Sequence, residues 1–155
     1  MTKTNAMRIL DKNKIKYEVI EYDISDGKID GVSVAEKTNQ DVKEVYKTLV
    51  TQGNSKALYV FVIPVNSELN LKKAAKVCGE KKIDMIHVND IFKLTGYIRG
   101  GCSPVGMKKL YKTFIHKDGE ALERICVSGG KKGLQVKLSP QDLSKCANAI
   151  FEDII

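Results

Sequence analysis

Tryptophan is absent from this 155-residue chain, proline occurs three times and histidine twice. No apolar run approaches the roughly 20 residues a membrane helix needs. The longest, Ala57 to Val65, has the length of a buried strand. Met1 to Arg8 passes directly into helical patterning and lacks the apolar stretch and small-residue cleavage site of a secretory leader. A cytoplasmic protein with no membrane attachment is expected. Cys78, Cys102, Cys126 and Cys146 are widely spaced, with no C-x-x-C pair and no histidine at zinc-ligand spacing. That spacing argues against a zinc site or a disulfide framework and for four buried or half-buried thiols. Walker A and G-x-G-x-x-G patterns, paired carboxylates and a Ser/His/Asp order are also missing.

The chain does have charge of one sign. It carries 26 Lys and Arg against 19 Asp and Glu, a net +7, and its arginines are Arg8, Arg99 and Arg124. Arg99 to Lys117 holds five cations (Arg99, Lys108, Lys109, Lys112, Lys117) and no acid, and Lys72 to Lys82 holds five lysines against Glu80. Such clusters suit a phosphate-bearing partner through counterion release. A solvated surface is the equal alternative.

No repeat or linker divides the sequence, so one domain over 1–155 is expected. A helix starts at Thr4 with Ala6, Met7 and Leu10 inward, and Lys16 to Tyr22 has strand content. Residues 23–32 read as a loop, with Ser33 capping a helix to Asn39 and Glu36 completing a capping box. Val45–Thr51 and Ala57–Val65 form a hairpin. Asn70 caps a helix to Cys78 that Gly79 closes; Asp84 to His87 is a strand; Asp90 opens a helical turn to Thr95. Tyr111–His116, Ile125–Ser128 and Gln135–Leu138 read as strands, with a turn at Lys117-Asp118-Gly119. Ser139 and Pro140 start a last helix on which Leu143, Cys146, Ala147, Ile150 and Phe151 repeat at helical spacing. Strands mixed with helices, without regular βαβ alternation, give an α+β class.

Three features carry chemistry. Lys47 lies within Tyr46-Lys47-Thr48-Leu49-Val50, where strand alternation puts it on the face of Leu49 and Thr48 on the face of Val50. Its ammonium either reaches water at a strand end or points into a cavity. Gly96 to Gly106 contains four glycines, Ser103 and Pro104, a loop whose backbone N–H groups can face a carbonyl or phosphate oxygen. The third is Ser128-Gly129-Gly130-Lys131-Lys132-Gly133, a glycine loop directly after a strand. A Cys102 nucleophile paired with His87 or His116 is a further arrangement to test, because a catalytic thiol needs a base within reach.

In this order the pieces resemble the YbaK/ProX-type tRNA-editing family, nearest to its free-standing Cys-tRNA(Pro) deacylase branch. The likeness includes Thr4-Asn5-Ala6, Tyr22-Asp23, Tyr46-Lys47-Thr48-Leu49, Leu71 to Lys76, Thr95-Gly96-Tyr97, Gly100-Gly101-x-Ser103-Pro104-x-Gly106, Ser128-Gly129-Gly130-Lys131-x-Gly133 and Pro140-Gln141-Asp142-Leu143. The resemblance implies a single α+β domain with a mixed, mainly antiparallel, partly barrel-like sheet surrounded by helices. It implies hydrolysis of the ester between a wrong amino acid, cysteine in this branch, and tRNA(Pro), without cofactor or metal. Lys47 would be the essential side chain, holding the terminal nucleotide or the carbonyl oxygen. Substrate contacts would come from Tyr22, Thr48, Gly100, Gly101, Ser103, Ser128, Gly129 and Gly130. The implied partners are the aminoacylated 3′ end of tRNA and prolyl-tRNA synthetase in a transient complex. In the family scheme the substrate's own thiol attacks its carbonyl, so no protein nucleophile is required. Cys102 stands at a position where an aliphatic residue is common, and Gln135 where some relatives carry an acid. Alternatives are a deacylase for another small amino acid such as alanine, or a non-catalytic RNA-binding adaptor of the same fold.

Overall fold

Thr4 has an extended backbone and its hydroxyl accepts from Met7 N at 3.2 Å, which starts α1 (Asn5–Lys12) where the sequence places it. A computed structural model describes residues 2–155. β1 (Glu18–Glu21) follows. The next helix departs from expectation, because its cap is Asp30 and α2 spans Gly31–Lys37. The Asp30 carboxylate accepts from Ser33 N at 3.1 Å and from Ser33 Oγ at 2.6 Å, so Ser33 lies inside the helix. An ionised carboxylate caps as well as serine and gains further from the helix dipole.

β2 (Tyr46–Gly53) and β3 (Leu58–Pro64) form the expected hairpin, with Lys47 opposite Ile63. Asn70 caps α3 (Leu71–Cys78) and Gly79 closes it at φ 69°. β4 is Ile83–Met85, shifted from the expected Asp84–His87, and a 3-10 turn at Val88–Asp90 leads into α4 (Ile91–Thr95). β5 is Lys112–His116, and the expected turn after it is a 3-10 segment, Lys117–Ala121.

β6 runs Ile125–Lys131 and β7 Leu134–Leu138, so Ser128-Gly129-Gly130 lies inside a strand and not in a loop beyond it. Ser128 pairs with Gln135 and Lys131 with Leu134, which leaves Gly129 and Gly130 as a bulge. α5 spans Pro140–Ala147 and stops where Asn148 turns left-handed at φ 51°. Ile150 and Phe151 therefore belong to β8 (Ala149–Glu152), not to the helix, and β8 pairs in parallel with β5.

β1, β7 and β6 form one sheet in the order β1-β7-β6, and the other five strands a second in the order β4-β2-β3-β5-β8. Pairings are antiparallel except β3 with β5 and β5 with β8. A parallel bridge between Val45 and Cys126, with Cys126 N donating to Glu44 O at 2.8 Å, joins the sheets. They do not continue around into a barrel among the described residues. The mixed, mainly antiparallel α+β class stands, without a closed barrel among the described residues.

The main core lies between the sheets, α1 and α5, with Met7, Leu10, Tyr46, Val62, Val127 and Leu143. A second core fills the other face of the hairpin under α3, where the Phe61 and Phe114 rings stack 5.5 Å apart. A small third cluster, Ala35, Val45, Val65 and Cys126 with Ile20 and Val42, surrounds the bridge. Cys126 is buried, and Cys78, Cys102 and Cys146 are half-buried and unpaired.

Candidate active site

The Val45–Cys126 bridge decides which way the chemistry-bearing side chains point. Both residues pack into the third cluster. Alternation then sends Lys47 and Ser128, each two residues further along its strand, to that same side. Gln135 is opposite Ser128 and Ile20 is opposite Gln135, so both share the face. Tyr22, two residues past Ile20, extends the ladder through Tyr22 N to Gly133 O at 3.0 Å. Lys47, Ser128, Gln135 and Tyr22 are thus gathered on one side of the joined sheets.

Lys47 is half-buried between the apolar clusters that contain Val45 and Leu49. Among the described residues no carboxylate pairs with it. A half-buried cation without a counterion suits an anionic or carbonyl oxygen from outside. Thr48 lies on the opposite face, and its hydroxyl oxygen is buried with no hydrogen-bond partner.

The two glycine segments meet. A Cβ on Gly101 would stand 2.9 Å from Lys131 C and from Lys132 N, so the backbones touch where only glycine fits. Gly100, at φ 86°, lies against Ile29. Gly130, at φ 98°, packs against Tyr97 and Thr4, and the Thr4 hydroxyl donates to Gly129 O at 2.5 Å. Ser128 Oγ accepts from Gly130 N at 3.2 Å, which leaves its own proton available to a ligand. Ser103 is fully buried and its Oγ accepts from Val105 N at 3.2 Å, which ties it to the loop's own turn.

Cys102 lacks a base. Burial pushes its thiol up to about 11, and its sulfur approaches Thr95 Oγ1 at 4.0 Å. His116 is occupied elsewhere: its Nδ1 accepts from Ile154 N at 3.3 Å and its Nε2 faces Asp118. His87 is exposed on the approach to α4. The arrangement does not support a thiol nucleophile.

Sequence reasoning missed Gln40, whose Nε2 donates to Gln135 Oε1 at 3.0 Å. A lone glutamine three residues past a helix carries no spacing signal. Two surface grooves are lined by neither Lys47 nor Ser128, the first of them bordering the Gly96–Gly106 loop. One, about 200 Å³, is lined by Ile9, Pro104, Lys108, Leu110 and Cys146; the other, about 470 Å³, by Lys56, Met85, His87 and Lys93. Arg99, Lys108, Lys109 and Lys112 are exposed and have no ion-pair partner among the described residues. The Lys108 ammonium stands 5.5 Å from the centre of the exposed Phe92 ring.

The family model of the aminoacyl-tRNA editing domain matches residues 29–146, a span containing Lys47 and both glycine segments. The chain belongs to this family. Relatives extend the likeness beyond the matched span. The chain is 43% identical over 152 residues, 98% of itself and 93% of the relative, to EbsC of Enterococcus faecalis, a candidate Cys-tRNA(Pro)/Cys-tRNA(Cys) deacylase. The solved structure of a candidate trans-editing enzyme for prolyl-tRNA synthetase superposes with a TM-score of 0.83 at 22% identity, covering 99% of this chain and 98% of that one. That of a hypothetical protein superposes at 0.88 and 19%, covering 97% and 99%. At those identities the two structures show that this chain shares their fold. No helix among the described residues is long and apolar enough to cross a membrane.

Proposed function

We propose that this editing-family protein is a trans-acting deacylase that hydrolyses the ester of Cys-tRNA(Pro), with Lys47 holding the aminoacyl end. The observation that carries this reading is the shared orientation of Lys47 and Ser128, two residues beyond the Val45–Cys126 bridge. The name of the 43% identical relative supplies the substrate class. Prolyl-tRNA synthetase, which accepts cysteine as a near-isostere of proline, is the proposed transient partner; a pocket separates such near-isosteres by only about 1–3 kcal/mol.

The chemistry asks little of the protein beyond position and charge. The cysteinyl sulfur attacks its own carbonyl carbon, the carbon–oxygen bond to the terminal ribose breaks, and that oxygen takes up a proton. A four-membered cyclic thioester leaves, and water opens it to free cysteine. Lys47 stabilises the oxyanion, and Ser128 can donate to the ester. Tyr22, Gly100, Gly101, Gly129 and Gly130 frame the acyl group and the terminal nucleotide. Thr48 and Ser103 support the strand and the loop from behind. The unpaired cations Arg99, Lys108, Lys109 and Lys112 continue from the Gly100 loop and are proposed to carry the tRNA backbone.

The test is a deacylation panel with tRNA(Pro) charged with Cys, Ala, Ser or Pro. Preference for the Cys ester supports the reading; equal hydrolysis of all four, or none, refutes it.

A further inference from the structure

Thr4 lies before residues 29–146, the span that the editing-domain model matches, and has none of the roles proposed for the site. It caps α1, a helix seated in the main core by Ala6, Met7 and Leu10 together with Val127 of β6. It also touches the β6 bulge, where a Cβ on Gly130 would stand 3.3 Å from Thr4 Cβ. Met7 N donates to Thr4 Oγ1 at 3.2 Å, and the Thr4 hydroxyl donates to Gly129 O at 2.5 Å. Gly130 N, the other end of that same peptide unit, donates to Ser128 Oγ at 3.2 Å.

The direction of every link is fixed, because a backbone N–H can only donate and a backbone carbonyl can only accept. Met7 N–H takes a lone pair of Thr4 Oγ1, and the Thr4 proton goes to Gly129 O. In a planar trans peptide the N–H points opposite to the carbonyl. Holding the Gly129 oxygen at α1 therefore aims the Gly130 N–H at Ser128, and the Ser128 proton must point elsewhere. The chain of bonds runs one way, from the first turn of α1 to the Ser128 hydroxyl, and each bond polarises the next. Ser128 is half-buried and stands on the side of the sheets that Lys47 shares.

We propose that Thr4 is a positioning residue: it holds the Gly129–Gly130 peptide so that the Ser128 hydroxyl donates to the ester of the aminoacyl end. This rests on the deacylase reading and deepens it. It also gives α1, outside the matched span, a part in the reaction.

Substitutions at Thr4 separate this link from the helix cap. Thr4→Ser keeps both. Thr4→Asp keeps the cap, but an ionised carboxylate has no proton for Gly129 O. Thr4→Val loses both. Hydrolysis of Cys-tRNA(Pro) is measured for each, alone and combined with Ser128→Ala, alongside hydrogen exchange at the Gly130 amide. Thr4→Ser should stay within about twofold of wild type. Thr4→Asp and Thr4→Val should lower kcat by about five- to tenfold with KM unchanged, a coupling usual between hydrogen-bonded neighbours, and should quicken Gly130 exchange. In the Ser128→Ala background neither should lower kcat further.

A wild-type rate in Thr4→Asp or in Ser128→Ala overturns the proposal, as does an equal loss with and without Ser128, which would make Thr4 structural. Unchanged Gly130 exchange in Thr4→Asp and Thr4→Val overturns it too, whatever the activity. Wild-type protein inactive on Cys-tRNA(Pro), with Gly130 exchange still quickened in both variants, would refute the deacylase reading and leave the Thr4 link standing.

Discussion

Gly101 meets the Lys131–Lys132 peptide backbone to backbone, with room for no Cβ at 2.9 Å from either Lys131 C or Lys132 N. This close approach locks the Gly96–Gly106 loop to the tip of the β6–β7 hairpin and so sets where both segments stand in the site. Gly101→Ala must push the two backbones apart. Overpacking of this kind costs roughly 1–3 kcal/mol. The expected outcome is a lower thermal midpoint together with a fall in deacylation of about tenfold or more, because loop position enters the rate directly. Urea unfolding and single-turnover deacylation on the same preparation check both parts.

Cys102 gives the opposite expectation. Its thiol is held up at about 11 by burial and has no histidine beside it. Cys102→Ser should keep deacylation within about twofold of wild type, where loss of a nucleophile costs many orders of magnitude. A collapse of activity would reinstate a thiol hydrolase.

Asp30 makes part of the stability pH-dependent. The Ser33 hydroxyl and then the Ser33 N–H hold its carboxyl below the ordinary 3.8. A lowered folded-state value means that the stabilisation is present above the unfolded value and disappears as pH falls through the folded one. Asp30→Ala should cost about 1 kcal/mol near neutrality, the usual worth of a helix cap. The gap between variant and wild type should close in denaturant titrations below pH 3.8.

The unpaired cations near the Gly100 loop predict a salt-dependent KM. Lys108→Glu combined with Lys109→Glu should raise KM for charged tRNA. The slope of log affinity against log salt should become shallower by about one for each phosphate the protein no longer neutralises. An unchanged slope would place the tRNA on another surface.

Much of this architecture is legible in the chain because local signals and tertiary context agree. Thr4, Asn70 and Ser139 cap the helices that follow them, and the β2–β3 hairpin follows from alternation and the Gly53-Asn54 turn. The departures have physical causes. Ile150 and Phe151 continue a 3.6-residue pattern, but Asn148 turns left-handed and ends the helix; Ile150 then faces outward at 51% exposure. Ser33 resembles a cap because serine often is one, yet Asp30 upstream competes and wins. The glycines after Ser128 read as a loop because a bulge has the same composition as a turn. Lys47 stands out by its apolar neighbours, whereas the Val45–Cys126 pairing that aims it is non-local and leaves no mark on either segment. Gln40 depends on Gln135, 95 residues away, and carries no sequence signal for the same reason.

The most direct measurement is hydrolysis of Cys-tRNA(Pro) by wild type and Lys47→Ala, with circular dichroism and thermal midpoint recorded on each. If Lys47 holds the aminoacyl end, the variant keeps the wild-type fold and loses at least about a hundredfold in rate, the scale of removing one oxyanion donor. A folded Lys47→Ala protein that clears Cys-tRNA(Pro) at the wild-type rate would contradict that role.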